Sequence, residues 1–230
     1  MAAYFLSAGL NFLAVFGGML LFFLPFCGLF AYRHRRQILA VRPHFNYFME
    51  RFFGSPEFNA LVFVWAAGEA LVWYIIPEFL LFLVVFMKVH RKFDLVKYDL
   101  FGTIAGTLIG LVWHLPAQAF LRLPFIRPAM MTQVHDWYAS AGVWGLAHQP
   151  FSGVPYKVFT HEAAGWHFYI PLFIGIAIVA RMARYLVAYG ATVAIYPLLH
   201  RFVRKHYAIL FVVASVVFTL LLTRVVQIYS

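Results

Sequence analysis

A chain of 230 residues that is 64% hydrophobic and 20% aromatic, with only 11% charged side chains and a mean hydropathy of +0.82, has more apolar surface than one soluble domain can bury. That composition excludes an ordinary soluble enzyme and reads as an integral membrane protein. The net charge of +10, from 18 Lys and Arg against 8 Asp and Glu, gathers at the ends of apolar segments; this is a topology signal and an attraction for anionic head groups, whereas nucleic-acid binding needs a contiguous soluble basic face.

Residues 4 to 32 are apolar for longer than the roughly 20 residues a bilayer requires and end at Arg33, His34, Arg35 and Arg36. The positive-inside rule puts that cluster in the cytoplasm and the nearly uncharged N-terminus outside. No A-x-A-like site follows, so residues 1 to 36 are expected to be a retained N-terminal transmembrane helix. The lone Cys27 has no intrachain disulfide partner. Residues 37 to 57 mix Phe45, Tyr47, Phe48, Phe52 and Phe53 with Arg42, Glu50 and Arg51. They read as an amphipathic helix, either lying in the cytoplasmic interface or packed on the protein's own cytoplasmic face.

The second apolar block, residues 58 to 87, is interrupted by Glu69 and by Pro77-Glu78, and is followed at once by Lys88, His90, Arg91 and Lys92. Basic clusters on both flanks place its two ends on one side. A helix that enters, breaks near Pro77 and returns satisfies both charge and length, which predicts a re-entrant hairpin. Residues 99 to 114 then carry Gly102, Gly106 and Gly110 at a spacing of four, one face of a helix along which another helix can approach closely. Residues 115 to 136, with Pro116, Pro124, Pro128, Arg122 and Arg127, read as an external connection.

Residues 137 to 164 repeat the logic of the first hairpin in the opposite sense: an apolar run through Trp144 and Leu146, breakers at Pro150 and Pro155, and Lys157 and Glu162 on the returning arm. A full span is expected over 165 to 187. A third basic cluster follows at His200, Arg201, Arg204, Lys205 and His206, and residues 207 to 230 form a last transmembrane helix that leaves the C-terminus outside. The expected fold is therefore an all-α polytopic membrane protein, an inverted repeat of two re-entrant helical hairpins (58–87 and 137–164), each followed by a transmembrane helix, within a core of 58–206. Opposed broken hairpins are the pattern of secondary transporters, whose sites lie near the midplane.

Particular residues resemble a known family. Pro155-Tyr156-Lys157-Val158-Phe159-Thr160, then Ala163-Ala164-Gly165, then Arg181-x-x-Arg184-Tyr185 and Gly190 are similar to the second half of the YqaA-like branch of the DedA (VTT, SNARE-associated) membrane protein superfamily. Ile76-Pro77-Glu78 resembles that family's proline-glutamate hairpin, and the glycine ladder resembles its small-residue helix. The resemblance covers about residues 58 to 200. Three departures stand out: His161-Glu162 where the family has an uncharged residue, Ala180-Arg181-Met182 for Gly-Arg-Gly, and Trp113-His114-Leu115-Pro116 in place of a Tyr-x-x-Gly-Arg element. The resemblance implies a bacterial inner-membrane transporter or scramblase that moves a phospholipid or undecaprenyl phosphate between leaflets, with proton coupling and a homo-oligomeric state both compatible with it.

The residues offer the chemistry such a task needs. Arg181 and Arg184, three apart, occupy neighbouring positions on one helix face, and a guanidinium pairs phosphate oxygens bidentately. Glu69, Glu78 and Glu162 at membrane depth are suited to bind and release a proton, and Lys157 to meet a carboxylate or an anionic head group. The alternative is structural: the arginines pair with Glu69, Glu78 or Glu162 to hold the hairpins, and Lys157 snorkels to the interface. His114, His135, His148, His161 and His167 fall in the outer half, but His161 and His167 are six apart where a helical zinc pair needs four, so no metal is expected. No nucleophile-base pair or phosphate-cradling loop occurs, so no cofactor and no enzymatic reaction is expected. Two rival readings remain, a proton-coupled carrier of a small solute and a non-transporting scaffold or assembly subunit.

Overall fold

A computed structural model of the protein describes residues 2–36, 45–87, 92–113 and 115–229. Residues 37–44 of the expected amphipathic segment, Lys88, His90 and Arg91 of the second basic cluster, and His114 lie outside the described residues. Every regular element among those described is helical: α1 (Ala2–Arg33), α2 (Phe45–Phe53), α3 (Pro56–Leu71), α4 (Glu78–Phe86), α5 (Lys92–Val112), α6 (Ala117–Phe120), α7 (Pro128–Ala141), a 3-10 turn (Gly142–His148), α8 (Tyr156–Trp166), α9 (Ile170–Lys205) and α10 (Tyr207–Ile228). Among the described residues four helices are long and apolar enough to cross a membrane, over Gly9–Arg33, Phe93–Val112, Ile170–Val203 and Tyr207–Ile228. The chain is an all-helical integral membrane protein.

The chain forms two compact units. The first comprises Met1–Val62, Glu78–Tyr98 and Ala188–Thr223, and the second Phe63–Pro77, Asp99–Val187 and Arg224–Ser230. In the first unit the apolar stripe of α2, Met49, Phe52 and Phe53, is buried. Phe52 meets Phe23 and Phe30 of α1 and Phe58 of α3 at centroid separations of 6.4, 5.7 and 5.5 Å. Of the two readings of this amphipathic helix, these contacts are packing on the protein's own residues. Arg33 Nη1 donates to Glu57 Oε1 at 2.9 Å, which ties the end of α1 to the start of α3. Tyr207 donates from its hydroxyl to the Leu83 carbonyl at 2.9 Å, so α10 holds α4.

In the second unit α3 ends at Leu71, and residues 72 to 77 leave the helix before α4 resumes at Glu78. The break lies where Pro77 predicts it. Its backbone is not left to hydrocarbon: Trp65 Nε1 donates to the Ile75 carbonyl at 2.7 Å and Lys157 Nζ to the Val72 carbonyl at 2.9 Å. Such partners are what a broken helix at membrane depth requires.

The glycine ladder of α5 lies against α3. A Cβ on Gly102 would stand 2.2 Å from the Phe63 carbonyl oxygen, and one on Gly106 2.5 Å from that of Ala67. Backbone cannot swing aside as a side chain does. Gly102→Ala is therefore expected to cost about 3 kcal/mol, the upper end for overpacking, whereas Gly175→Ala, with open space around it, should be neutral or gain up to about 1 kcal/mol from helix propensity. Thermal unfolding of the two purified variants in detergent checks this; equal melting temperatures would contradict it.

Two stretches differ from the sequence expectation. The connection expected over 115–136 gives way to α7 at Pro128, because proline at the first helical position loses no hydrogen bond and has φ already set for the helix. The span expected over 165–187 and the segment after it are one helix of 36 residues, α9. Gly190 disfavours a helix interior by only about 1 kcal/mol, and Pro197 is carried inside it. The second broken segment is built as α7, the 3-10 turn and α8. Gly142 (φ 58°) and Gly153 (φ 76°) turn the chain in the left-handed region. The Tyr138 hydroxyl donates to the Phe159 carbonyl at 3.1 Å and Trp137 stacks on Phe159 at 5.8 Å, so α7 and α8 lie side by side.

Candidate functional site

The chemistry of the second unit gathers around Arg181 of α9. Its guanidinium is 3% exposed and donates through Nη2 to Glu69 Oε2 of α3 and, at 2.9 Å, to Thr103 Oγ1 of α5. Its Nε stands 3.6 Å from Asp99 Oδ2, and its Cζ lies 5.4 Å from the Tyr156 ring centroid. Glu69 and Asp99 are as deeply buried as the arginine. One guanidinium thus serves two carboxylates, a hydroxyl and an aromatic face, a division of labour that its planar fork permits and an ammonium does not.

Each partner is positioned by local structure. Asp99, Thr103 and Thr107 recur every four residues on α5 and share a helix face beside the glycine ladder, whose close approach brings α3 and with it Glu69. The Thr107 hydroxyl hydrogen-bonds the Tyr156 hydroxyl at 2.8 Å, fixing the start of α8. Pro155, with φ −60° and ψ 141°, leads the chain into α8 at Tyr156. Lys157 follows as the second residue of that helix. Its side chain is buried, its ammonium donates to the Val72 carbonyl, and the charge of Glu69 is felt at that nitrogen. Glu69, Asp99, Arg181 and Lys157 are two acids and two bases held away from water. The second oxygen of Glu69, Oε1, is buried and has no hydrogen-bond partner among the described residues.

The other residues expected from the sequence are placed as follows. Arg184 is half-buried, one turn beyond Arg181 on α9. Glu78 is buried at the first position of α4 and belongs to the first unit, whereas Glu69, Lys157, Arg181 and Arg184 belong to the second. Glu162 is near His135 Nδ1 (3.6 Å) and His161 Nδ1 (3.8 Å), and Lys157 has no carboxylate within ion-pair distance among the described residues. Pro77 closes the break after α3, Pro150 lies in the turn after the 3-10 segment, and Pro155 caps α8. Among the described residues no three His, Cys, Asp or Glu are grouped to hold a metal ion.

Asp99, Thr103 and Tyr156 are the cluster members that sequence reasoning passed over. The signal for the first two was present, a polar residue every four positions through an apolar helix, but the glycines of the same helix draw the reading toward packing alone. A second feature flanks the site. An apolar groove of about 560 Å³ is lined by Trp144, Pro150, Phe151, Leu172, Val179 and Ala183, so it runs along α9 past Arg181. Fold and site together define a polytopic helical membrane protein with a buried cluster of acidic and basic side chains beside a helix break. Compared with known proteins, the chain matches no family model, no curated protein and no solved structure.

Proposed function

We propose that this protein is a membrane transporter of the DedA type, which moves a lipid or lipid phosphate between leaflets with the Glu69–Arg181–Asp99 cluster as its ion-handling centre. The observation that carries the reading is that cluster: charges cost several kcal/mol each to desolvate and replacing a buried pair by apolar side chains is often stabilising, so a four-residue polar centre in a chain this apolar argues for work beyond holding helices together. The arms around the two breaks support re-entrant hairpins. Helices α3, α4, α7 and α8 contain 16, 9, 14 and 11 residues, each short of the roughly 20 needed to span. In this reading the hairpins enter from opposite faces of a bacterial inner membrane, both termini lie outside, and the groove beside Arg181 faces acyl chains.

A second reading is favoured by one specific observation. Arg181 is already engaged by Glu69, Thr103 and Asp99, which suits a proton-coupled carrier of a small solute better than a guanidinium waiting for phosphate. Arg184 and Lys157 then become the head-group partners if the cargo is a lipid. Lipid translocation in proteoliposomes made from the purified protein alone separates the two readings. Wild-type protein is expected to move fluorescent phospholipid between leaflets, and Glu78→Gln and Arg184→Ala are each expected to abolish that movement while remaining folded. Flat traces for the wild type remove the lipid reading, and normal movement by both variants shows that transport needs neither side chain.

A further inference from the structure

Glu162 and its histidines are explained neither by packing nor by the cluster around Arg181, yet they lie on the same short helix as Lys157. Within α8, Lys157, Thr160 and His161 are spaced three and four apart and so share one face. All three line a small cavity of about 20 Å³, together with Ala70, Gly110, Trp113, Leu115 and Phe120. A volume of that size has room for one water, provided polar partners surround it, and Lys157, Thr160 and His161 are the polar side chains of its lining. His161 is itself held in place, its Nε2 at 3.0 Å from the Leu115 carbonyl and its ring stacked on Phe120 at 4.0 Å. Its other nitrogen, Nδ1, is the one turned to Glu162. Beyond Glu162 stands His135, whose side chain is 58% exposed and packs on Trp166.

These contacts form a graded series from surface to interior: an exposed imidazole, a carboxylate that is 16% exposed, an imidazole that is 9% exposed, a one-water cavity, and a buried ammonium. We propose that His135, Glu162, His161 and the cavity are the path by which protons pass between the surface and the buried cluster, with Lys157 as the inner relay. The proposal rests on reading the cluster as a proton-handling transport centre. Each hop is a proton moved between neighbouring lone pairs, with no bond made or broken but N–H and O–H. Glu162 accepts from protonated His135 and passes the proton to His161 Nδ1. The imidazole releases its opposite proton from Nε2, giving up its hydrogen bond to the Leu115 carbonyl, and the cavity water carries it to Lys157 once that side chain has given up its own proton. Lys157 then holds the proton at the edge of the cluster, where the charge of Glu69 reaches it. The charged and titratable groups that face this path are Tyr138 beside Glu162 and Tyr156, Glu69 and Arg181 beside the inner end.

The test uses purified protein in phosphatidylethanolamine–phosphatidylglycerol vesicles that enclose a pH-sensitive dye, with lipid movement followed separately by a fluorescent phospholipid. After an external pH step, wild-type vesicles are expected to equilibrate faster than protein-free ones. Glu162→Gln, close in size and on a side chain near the surface, is expected to cut the protein-dependent proton flux at least tenfold, Glu162→Asp to restore most of it, and His161→Gln to slow it similarly. Melting temperatures near the wild-type value show that the variants are folded. Proton flux at the wild-type rate in both Glu162→Gln and His161→Gln overturns the path, even if lipid moves. So does a wild type that moves no protons. Flux that depends on Glu162 in vesicles where no lipid moves supports the path and removes the lipid reading.

Discussion

Arg181→Met is expected to lower the stability of the folded protein by about 3–5 kcal/mol, the usual cost of leaving buried carboxylates without their counter-charge, and to abolish transport. Two acids, Glu69 and Asp99, lose their partner in a single substitution. Arg181→Lys should recover part of the stability and little of the transport, because one ammonium cannot hold the donor plane that reaches Glu69, Thr103 and Asp99 at once. The decisive variant is the triple substitution Arg181→Met with Glu69→Gln and Asp99→Asn. It removes every charge that the first substitution strands, so its stability is expected to return to within about 1–2 kcal/mol of wild type, since groups in one network are not additive. Its transport should stay at background. A triple variant that melts like the wild type and still transports would reduce the cluster to scaffolding.

Much of the fold was legible in the sequence because its signals are long-range averages. Long apolar runs next to basic clusters identify α1, α9 and α10 as candidate spans whatever their neighbours do, and the shorter apolar run over 99–114 forms most of α5. Pro77 and Pro155 likewise mark the breaks, since the missing N–H and the fixed φ act locally. Boundaries set by a single residue were harder to place: the same chemistry that keeps Pro124 in a turn lets Pro116 lead into α6 and makes Pro128 a good first residue, and only the structure shows which position a proline occupies. The site was half legible. An arginine or glutamate inside an apolar run stands out, so Glu69, Lys157 and Arg181 could be named. Which partner each takes is tertiary information. The sequence leaves Lys157 free to seek Glu162 or Glu78, and the fold instead gives it the carbonyl of Val72 exposed by the helix break, while the histidines stand beside Glu162.

Lys157→Met separates function from architecture in the opposite way to Arg181→Met. The lysine is 1% exposed, is the most deeply buried ammonium described in the chain, and has one hydrogen bond to a carbonyl to offset its desolvation. Methionine of similar length fills the same volume and removes that burden, leaving the Val72 carbonyl short of one donor, a loss of about 1–3 kcal/mol. Taking a charge out of a low-dielectric site commonly gains a similar amount. The melting temperature is therefore expected to stay close to the wild-type value or rise. Transport should nevertheless fall by more than tenfold, because Lys157 both lines the one-water cavity and feels the charge of Glu69. Lys157→Arg is the informative companion: it keeps the positive charge but does not release a proton near neutral pH, and so is expected to be as inactive as methionine. If arginine works and methionine does not, Lys157 acts as a fixed charge for an anionic head group; if neither works, it acts by giving up and retaking its proton.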